Sequence, residues 1–87
     1  MPQLTLYGTS ACHLCEDAEK IIRAALPTKL ANQLIVQDIT EHDELYNRYQ
    51  FTIPVLNIQP ENIELHWPFT VNQVAELLIQ QGIRKDA

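Results

Sequence analysis

The chain has 87 residues and a formal net charge of −5. The length fits one small domain spanning residues 1–87, in which most apolar residues must serve a single core. Because nucleic acids and anionic membrane surfaces attract clustered lysines and arginines, the acidic balance argues against both as partners. No apolar run approaches the roughly 18 residues of a spanning helix, and no secretory signal is visible at the N-terminus. We therefore expect a cytoplasmic protein.

The two cysteines of the chain, Cys12 and Cys15, form a C-x-x-C motif between two predicted elements. Residues 4–7 are mostly apolar and predict a short strand. Apolar residues at helical spacing predict a helix over about residues 13–26, which Pro27 ends. The motif therefore lies where a strand turns into a helix.

That position favours redox chemistry. The first turn of a helix has unpaired N–H groups and a partial positive charge, which favour a thiolate over a thiol. We expect Cys12 at the helix cap and Cys15 one turn into the helix, close enough for a disulfide to form with modest adjustment. Two alternatives remain open: incidental thiols, or metal binding. No metal site is predicted within one chain, because the remaining soft ligands are three scattered histidines and a second molecule would have to contribute.

The middle of the chain predicts a second strand and a second helix. Residues 32–38 contain a strand, so the preceding helix joins two strands in a βαβ unit. Thr40 is predicted to cap the second helix, over about residues 41–49, with Asp43 completing a capping box.

The last third predicts a hairpin and a closing helix. Residues 55–58 form a third strand, residues 59–62 a turn, and residues 63–67 a half-exposed edge strand. Thr70 and Gln73 predict a capping box at the start of the last helix, and Gly82 fits its C-terminal cap. The helix should bury a stripe of four residues: Val71, Val74, Leu77 and Leu78. Residues 83–87 are predicted to be a frayed tail.

The element order is β-α-β-α-β-β-α, which predicts an α/β fold with a four-stranded mixed sheet and helices on both faces. With the C-x-x-C at a strand–helix junction and the segment Thr52-Ile53-Pro54, the chain resembles small bacterial glutaredoxin-like proteins of the thioredoxin-fold superfamily. The resemblance implies a thiol–disulfide oxidoreductase. By this resemblance, Cys12 would be the nucleophile, Cys15 the resolving thiol and Pro54 a cis-proline.

The resemblance also implies the partners. They would be protein or small-molecule disulfides, with glutathione or a reducing dithiol protein restoring the dithiol. No cofactor is implied beyond the Cys12–Cys15 disulfide. Ile53 would present its backbone to an extended substrate.

Two departures from the family pattern predict weak glutathione binding. Thr9 stands where glutaredoxins usually carry a basic residue that meets a glutathione carboxylate. Pro68 lies in the segment that usually offers backbone N–H groups to the other carboxylate, and proline has no N–H to donate.

Side chains near the motif have candidate supporting roles. His13 is either a cation beside the Cys12 thiolate or a solvent-facing helix residue, while Glu16 and Asp17 oppose the thiolate. Trp67 is predicted to form an apolar wall for a partner. Two other functions remain open. One is a binding module that docks a partner through Trp67 and Pro54 without turnover; the other is a metal or iron–sulfur carrier built from a dimer.

Overall fold

The computed structural model describes residues 3–83. The elements are β1 (Gln3–Gly8), α1 (His13–Ala25), α2 (Thr28–Ala31), β2 (Ile35–Asp38), a 3₁₀ turn (Ile39–Glu41), α3 (Asp43–Tyr49), β3 (Val55–Gln59), β4 (Ile63–His66) and α4 (Val71–Gln80). The four strands form one sheet in the order β2-β1-β3-β4. The predicted α/β class is confirmed, and the predicted elements occur in the predicted order.

The first strand, β1, is a central strand of the sheet. It pairs in parallel with β2 and antiparallel with β3, and β3 pairs antiparallel with β4, so the sheet is mixed. Leu4 and Leu6 are 1% and 0% exposed. The hairpin predicted for the third and fourth strands is present.

The two faces of the sheet are covered unequally. Alternate residues of a strand point to opposite faces, and one face packs with α1 and α4 into the main core through Leu6, Leu56, Ile22 and Val74. The other face carries a smaller cluster under the 3₁₀ turn and α3, in which Ile39, Tyr49 and Val55 are buried.

One element between Pro27 and β2 was not predicted. Residues 28–31 form a short helix, because backbone N–H groups of Leu30 and Ala31 donate to the carbonyl of Pro27. The Arg23 side chain also donates to the Ala31 carbonyl, which ties this turn to α1. The strand predicted within residues 32–38 is β2, which spans Ile35–Asp38.

The predicted cap at Thr40 was wrong. The Asp38 carboxylate accepts hydrogen bonds from both the backbone N–H and the hydroxyl of Thr40, at 2.9 and 2.7 Å. Thr40 therefore lies inside a 3₁₀ turn that Asp38 caps, and α3 begins two residues later than predicted. Among the described residues no side chain caps α3, whose N-cap position is His42.

The ends of α4 are as predicted, but its buried face is narrower. Thr70 and Gln73 form a reciprocal capping box, and Gly82 follows the helix with φ of 81°. Val74 and Leu78 are buried, whereas Val71 is 38% exposed because it lies in the first turn and faces outward.

The prediction of a frayed tail was wrong for its first residue. Ile83 is 7% exposed within the main core, and its backbone N–H donates to the Leu78 carbonyl at 2.9 Å. The rest of the predicted tail, residues 84–87, lies outside the described residues.

Candidate functional site

One end of the sheet collects the residues singled out from the sequence. Gly8 pairs with Asp38 at the ends of β1 and β2, and Val55 at the start of β3 pairs with His66 at the end of β4. Val55 also pairs with Tyr7, so all four strands meet here. The C-x-x-C motif, the segment before β3 and the segment after β4 therefore share one edge of the fold.

Cys12 and Cys15 are joined by a disulfide at the start of α1, with their Cα atoms 5.2 Å apart. Cys12 is the N-cap residue of the helix, and the backbone N–H of Cys15 lies 3.1 Å from its Sγ. Cys12 is half-buried, while Cys15 is 7% exposed. The N–H and the helix dipole would both favour negative charge on Cys12 when the disulfide is reduced.

Gly8 was not singled out from the sequence, yet it sets the space available to Cys15. A Cβ atom placed on Gly8 would lie 2.8 Å from Cys15 Sγ and 3.0 Å from Cys15 Cβ. Only a hydrogen fits in this space, so β1 and α1 can approach closely at the disulfide. The glycine directly before the loop to Cys12 was the available signal, but its meaning depends on three-dimensional distance.

The segment before β3 joins the segment after β4 through the backbone. The Ile53–Pro54 peptide bond is cis, as are Gln59–Pro60 and Trp67–Pro68. Pro54 is buried, and its carbonyl accepts a hydrogen bond from the backbone N–H of Trp67 at 3.2 Å. The Ile53 N–H already donates to the Tyr49 carbonyl at 3.1 Å. The Ile53 N–H is therefore already occupied within the chain.

Trp67 is held against the protein rather than extended into solvent. It is half-buried against the main core, and its ring meets that of Phe69 edge to face at 5.1 Å between centroids. Trp67 therefore belongs partly to the core and offers only one side to a partner.

His13 is directed into solvent. Its side chain is 96% exposed, and its Nδ1 lies 3.8 Å from Glu16 Oε2. This geometry places its ring beside a carboxylate, which would neutralise part of any charge that His13 offered to Cys12.

A groove of about 310 Å³ runs between α1 and β2 and reaches the disulfide. We call it the α1–β2 groove. Its apolar lining includes Leu6, Val36 and Cys15. Four carboxylates also line it: Glu16, Glu19, Asp38 and Glu41.

The groove carboxylates differ in their partners. Glu19 Oε2 pairs with Arg23 at 2.9 Å. Among the described residues, neither Asp38 nor Glu41 forms an ion pair with a basic side chain. Hydrogen bonds from the Thr40 hydroxyl and backbone hold the pKa of Asp38 below its usual value. Asp38 is therefore an anion at neutral pH, and the groove is acidic.

A hydrogen-bond network on the opposite face of the sheet was missed from the sequence. The Tyr49 hydroxyl of α3 donates to Glu64 of β4. Glu64 also accepts from Asn57 at 3.4 Å and lies 3.2 Å from His66 Nε2. The Tyr49 ring stacks on Tyr7 with centroids 4.6 Å apart. The network thus links α3 to β4, and the stacked Tyr7 ring connects it to β1 one residue before Gly8.

The network shifts the acidity of both main partners. Burial raises the pKa of Tyr49 to about 12, with the Glu64 hydrogen bond and charge acting in the same direction. For Glu64, burial acts to raise the pKa. Hydrogen bonds from Tyr49, His66 and Asn57, together with the Arg48 charge, outweigh burial, and the pKa of Glu64 lies below its usual value. At neutral pH the pair is a phenol and a carboxylate.

Two comparisons bear on this arrangement. Residues 3–79 match the family described as Glutaredoxin-like domain (DUF836). The chain belongs to the glutaredoxin-like domain family. An X-ray structure of Northeast Structural Genomics target protein XcR50 from X. campestris is 31% identical, with a TM-score of 0.75. That likeness covers 88% of this chain and 96% of the other.

The family and the disulfide agree on one kind of chemistry. A glutaredoxin-like domain with a Cys12–Cys15 pair at a helix start supports a thiol redox function. Within residues 3–83, no three His, Cys, Asp or Glu side chains are grouped so that they could hold a metal ion. None of the helices in the same range is long and apolar enough to cross a membrane.

Proposed function

We propose that this glutaredoxin-like domain is a thiol–disulfide oxidoreductase that reduces disulfides of other molecules in the cytoplasm. The observation that carries the proposal is the Cys12–Cys15 disulfide, which begins α1 with a backbone N–H directed at Cys12 Sγ. Gly8 leaves room for Cys15 at the end of β1, where an added Cβ would lie 2.8 Å from Cys15 Sγ.

The reduced protein acts first through Cys12. Its thiolate attacks one sulfur of the substrate disulfide, forms a mixed disulfide with it, and breaks the substrate S–S bond. The other substrate sulfur leaves as a thiolate and takes a proton from water. The Cys15 N–H and the start of α1 stabilise the attacking thiolate, because both favour negative charge there.

Cys15 then resolves the mixed disulfide. Having lost its proton to water, it attacks Cys12 Sγ, and the second substrate sulfur leaves as a thiolate. Two electrons have passed from the cysteine pair to the substrate, and the Cys12–Cys15 disulfide is the oxidised product. A reducing dithiol protein or glutathione must return the two electrons before another cycle.

We further propose that the Pro54 segment positions an extended substrate beside Cys12. The Ile53 carbonyl can accept a hydrogen bond from the substrate backbone, whereas the Ile53 N–H already serves Tyr49. Trp67 supports the segment through its N–H on Pro54 and offers apolar area to the substrate. His13 lies outside this arrangement on the solvent side of the helix.

The test is reduction of insulin, or of a peptide mixed disulfide, with a regenerating reductant present. The native protein should accelerate reduction. Cys12→Ser should abolish the acceleration. Without the regenerating reductant, which would itself break a mixed disulfide, Cys15→Ser should stop after one mixed disulfide, which mass spectrometry detects. Full turnover by Cys12→Ser would refute the assignment of the nucleophile. The same Cys15→Ser variant traps cellular partners.

The two competing functions give different results in the same sample. A non-catalytic binding module would retain partners without forming a mixed disulfide. A metal or iron–sulfur carrier, which would need a second molecule to complete its ligands, would show visible absorbance after anaerobic purification. Neither result is expected here, because the proposed function predicts a mixed disulfide on Cys12 and no bound metal.

A further inference from the structure

The α1–β2 groove carries an inference that rests on the proposed function and names the class of substrate. We propose that the groove receives a lysine or arginine side chain of the substrate polypeptide, close to the disulfide that the protein reduces. The groove contains Cys15 itself, so a side chain held there belongs to a segment that passes the redox centre.

The shape of the groove fits an amphipathic side chain. Val36 provides apolar surface, since it is 52% exposed although it is an aliphatic residue of a strand, and the buried Leu6 forms the floor behind it. Lysine and arginine lay their aliphatic stems along such surface while the charged head stays near water. A stem along Val36 would cover area that is otherwise in contact with solvent.

The charge of the groove selects a cation. Asp38 is held ionised by Thr40, and Asp38 and Glu41 have no basic partner within the described part of the chain. A cationic head beside them would gain an ion pair without displacing an existing one. The net charge of −5 acts in the same direction by attracting basic partners over longer distances. An anionic substrate segment would be repelled by the groove carboxylates at short range and by the net charge at longer range.

Exposed apolar residues outside the groove favour a polypeptide over a small cationic thiol. Leu14 lies between the two cysteines in sequence and is 49% exposed, and Phe51 in the loop before Pro54 is 92% exposed. Neither residue lines the groove, so only an occupant that extends beyond the groove can cover them, whereas a small cation held in the groove would leave them in solvent.

The experiment compares three synthetic peptide homodimers, each joined by one disulfide. They differ only in the residues on both sides of the cysteine, which are lysine, glutamine or glutamate. Single-turnover rates with the pre-reduced protein are divided by the rates of the same peptides with dithiothreitol. This division removes the effect of the flanking charges on the intrinsic reactivity of the disulfide.

We expect the lysine peptide to react about tenfold faster than the glutamate peptide at low salt, with the difference falling as salt rises. Glu41→Gln should lower the lysine-over-glutamine ratio about 1.4- to fivefold, the range measured for single exposed ion pairs. Glu61→Gln is the matched control, because Glu61 is exposed in the turn before β4 at the opposite end of the sheet. It should leave the ratio unchanged.

Each other outcome overturns a defined statement. Equal effects of Glu41→Gln and Glu61→Gln would show attraction by net charge alone and would overturn the groove assignment. Equal rates with all three peptides would overturn the groove assignment and leave the proposed function standing. A preference for cystamine, a small cationic disulfide, without a preference for the lysine peptide would overturn the choice of a polypeptide. No reaction with any peptide would refute the proposed function itself.

Discussion

The two cysteines have different surroundings, and this difference predicts their reactivity. Cys12 is half-buried at the helix cap with the Cys15 N–H at 3.1 Å, whereas Cys15 is 7% exposed. In the reduced protein Cys12 should therefore alkylate much faster than Cys15 at neutral pH. Peptide mapping after brief iodoacetamide treatment measures both rates. Equal labelling, or faster labelling of Cys15, would reverse the assigned roles.

We expect substitution of Gly8 to affect the resolution step of disulfide exchange specifically. A methyl group at this position would lie 2.8 Å from Cys15 Sγ, so Gly8→Ala must displace the sulfur or the strand. We expect a loss of about 1–3 kcal/mol in the free energy of unfolding, the usual cost of overpacking. Resolution of a mixed disulfide on Cys12 should also slow. The rate is measured as the release of the bound thiol.

The control for Gly8 is the other glycine of the chain. Gly82 has φ of 81° and nothing within 4 Å of an added Cβ. Gly82→Ala should cost about 1–2 kcal/mol through its left-handed backbone, with an unchanged rate of resolution. If both variants slow resolution equally, the effect of Gly8→Ala is a general loss of stability.

At the scale of elements, α3 is attached to the sheet by a polar contact. Tyr49→Phe removes the hydroxyl that donates to Glu64. We expect the free energy of unfolding at pH 7 to fall by about 1.5–3 kcal/mol, the contribution of a hydrogen bond to a charged group. Tyr46→Phe is the control, because Tyr46 is 44% exposed on the same helix. Urea unfolding of both variants measures the difference.

The same contact predicts how the Tyr49→Phe effect depends on pH. The folded-state pKa of Glu64 is lowered, so its contribution is present above its unfolded pKa of about 4.3 and is lost as pH falls through the folded value. The Tyr49→Phe penalty should shrink between pH 7 and pH 3. The folded-state pKa of Tyr49 is raised to about 12. Its contribution is therefore full below its unfolded pKa of about 10 and is lost through about 12. An equal penalty at pH 3 and pH 7 would contradict this account.

Sequence patterns predicted those elements whose signals are local. Thr70 and Gln73 are three residues apart and form the capping box that their spacing indicates. The same reasoning failed at Thr40, because Asp38 lies two residues earlier and is also a capping residue. The Asp38 carboxylate accepts the Thr40 backbone N–H and caps the 3₁₀ turn.

The parts of the site that the sequence did not predict depend on long-range contacts. Tyr49 and Glu64 lie fifteen residues apart in sequence and meet only when α3 lies against the sheet. The contact of Gly8 with Cys15 likewise needs the angle between β1 and α1. By contrast, the redox pair is contained in four consecutive residues, so its position at a helix start could be predicted in full.

For the whole molecule, charge predicts the choice of reductant. Glutathione is anionic at neutral pH, the chain has a net charge of −5, and Thr9 lines the acidic α1–β2 groove. We expect glutathione to reduce the Cys12–Cys15 disulfide poorly compared with thioredoxin. Thr9→Lys should raise the glutathione rate by up to about tenfold, most at low salt, because it restores one charge-assisted hydrogen bond.

The control for Thr9→Lys is Thr28→Lys, which adds the same charge at an exposed residue of α2. Stopped-flow reduction of the oxidised proteins gives all the rates. Efficient reduction of the native protein by glutathione, with no gain from Thr9→Lys, would show that the missing basic residue does not limit the reaction.

The central position of β1 has a consequence for synthesis on the ribosome. Cys12 and Cys15 emerge soon after β1, but β1 gains its antiparallel partner only when β3 has been translated. At about 5–20 residues per second, the thiols spend seconds outside any completed sheet. We expect stalled nascent chains that lack β3 to show similar alkylation of both cysteines, and chains that include it to protect Cys15. Protection before β3 emerges would mean that α1 packs on β1 and β2 without β3.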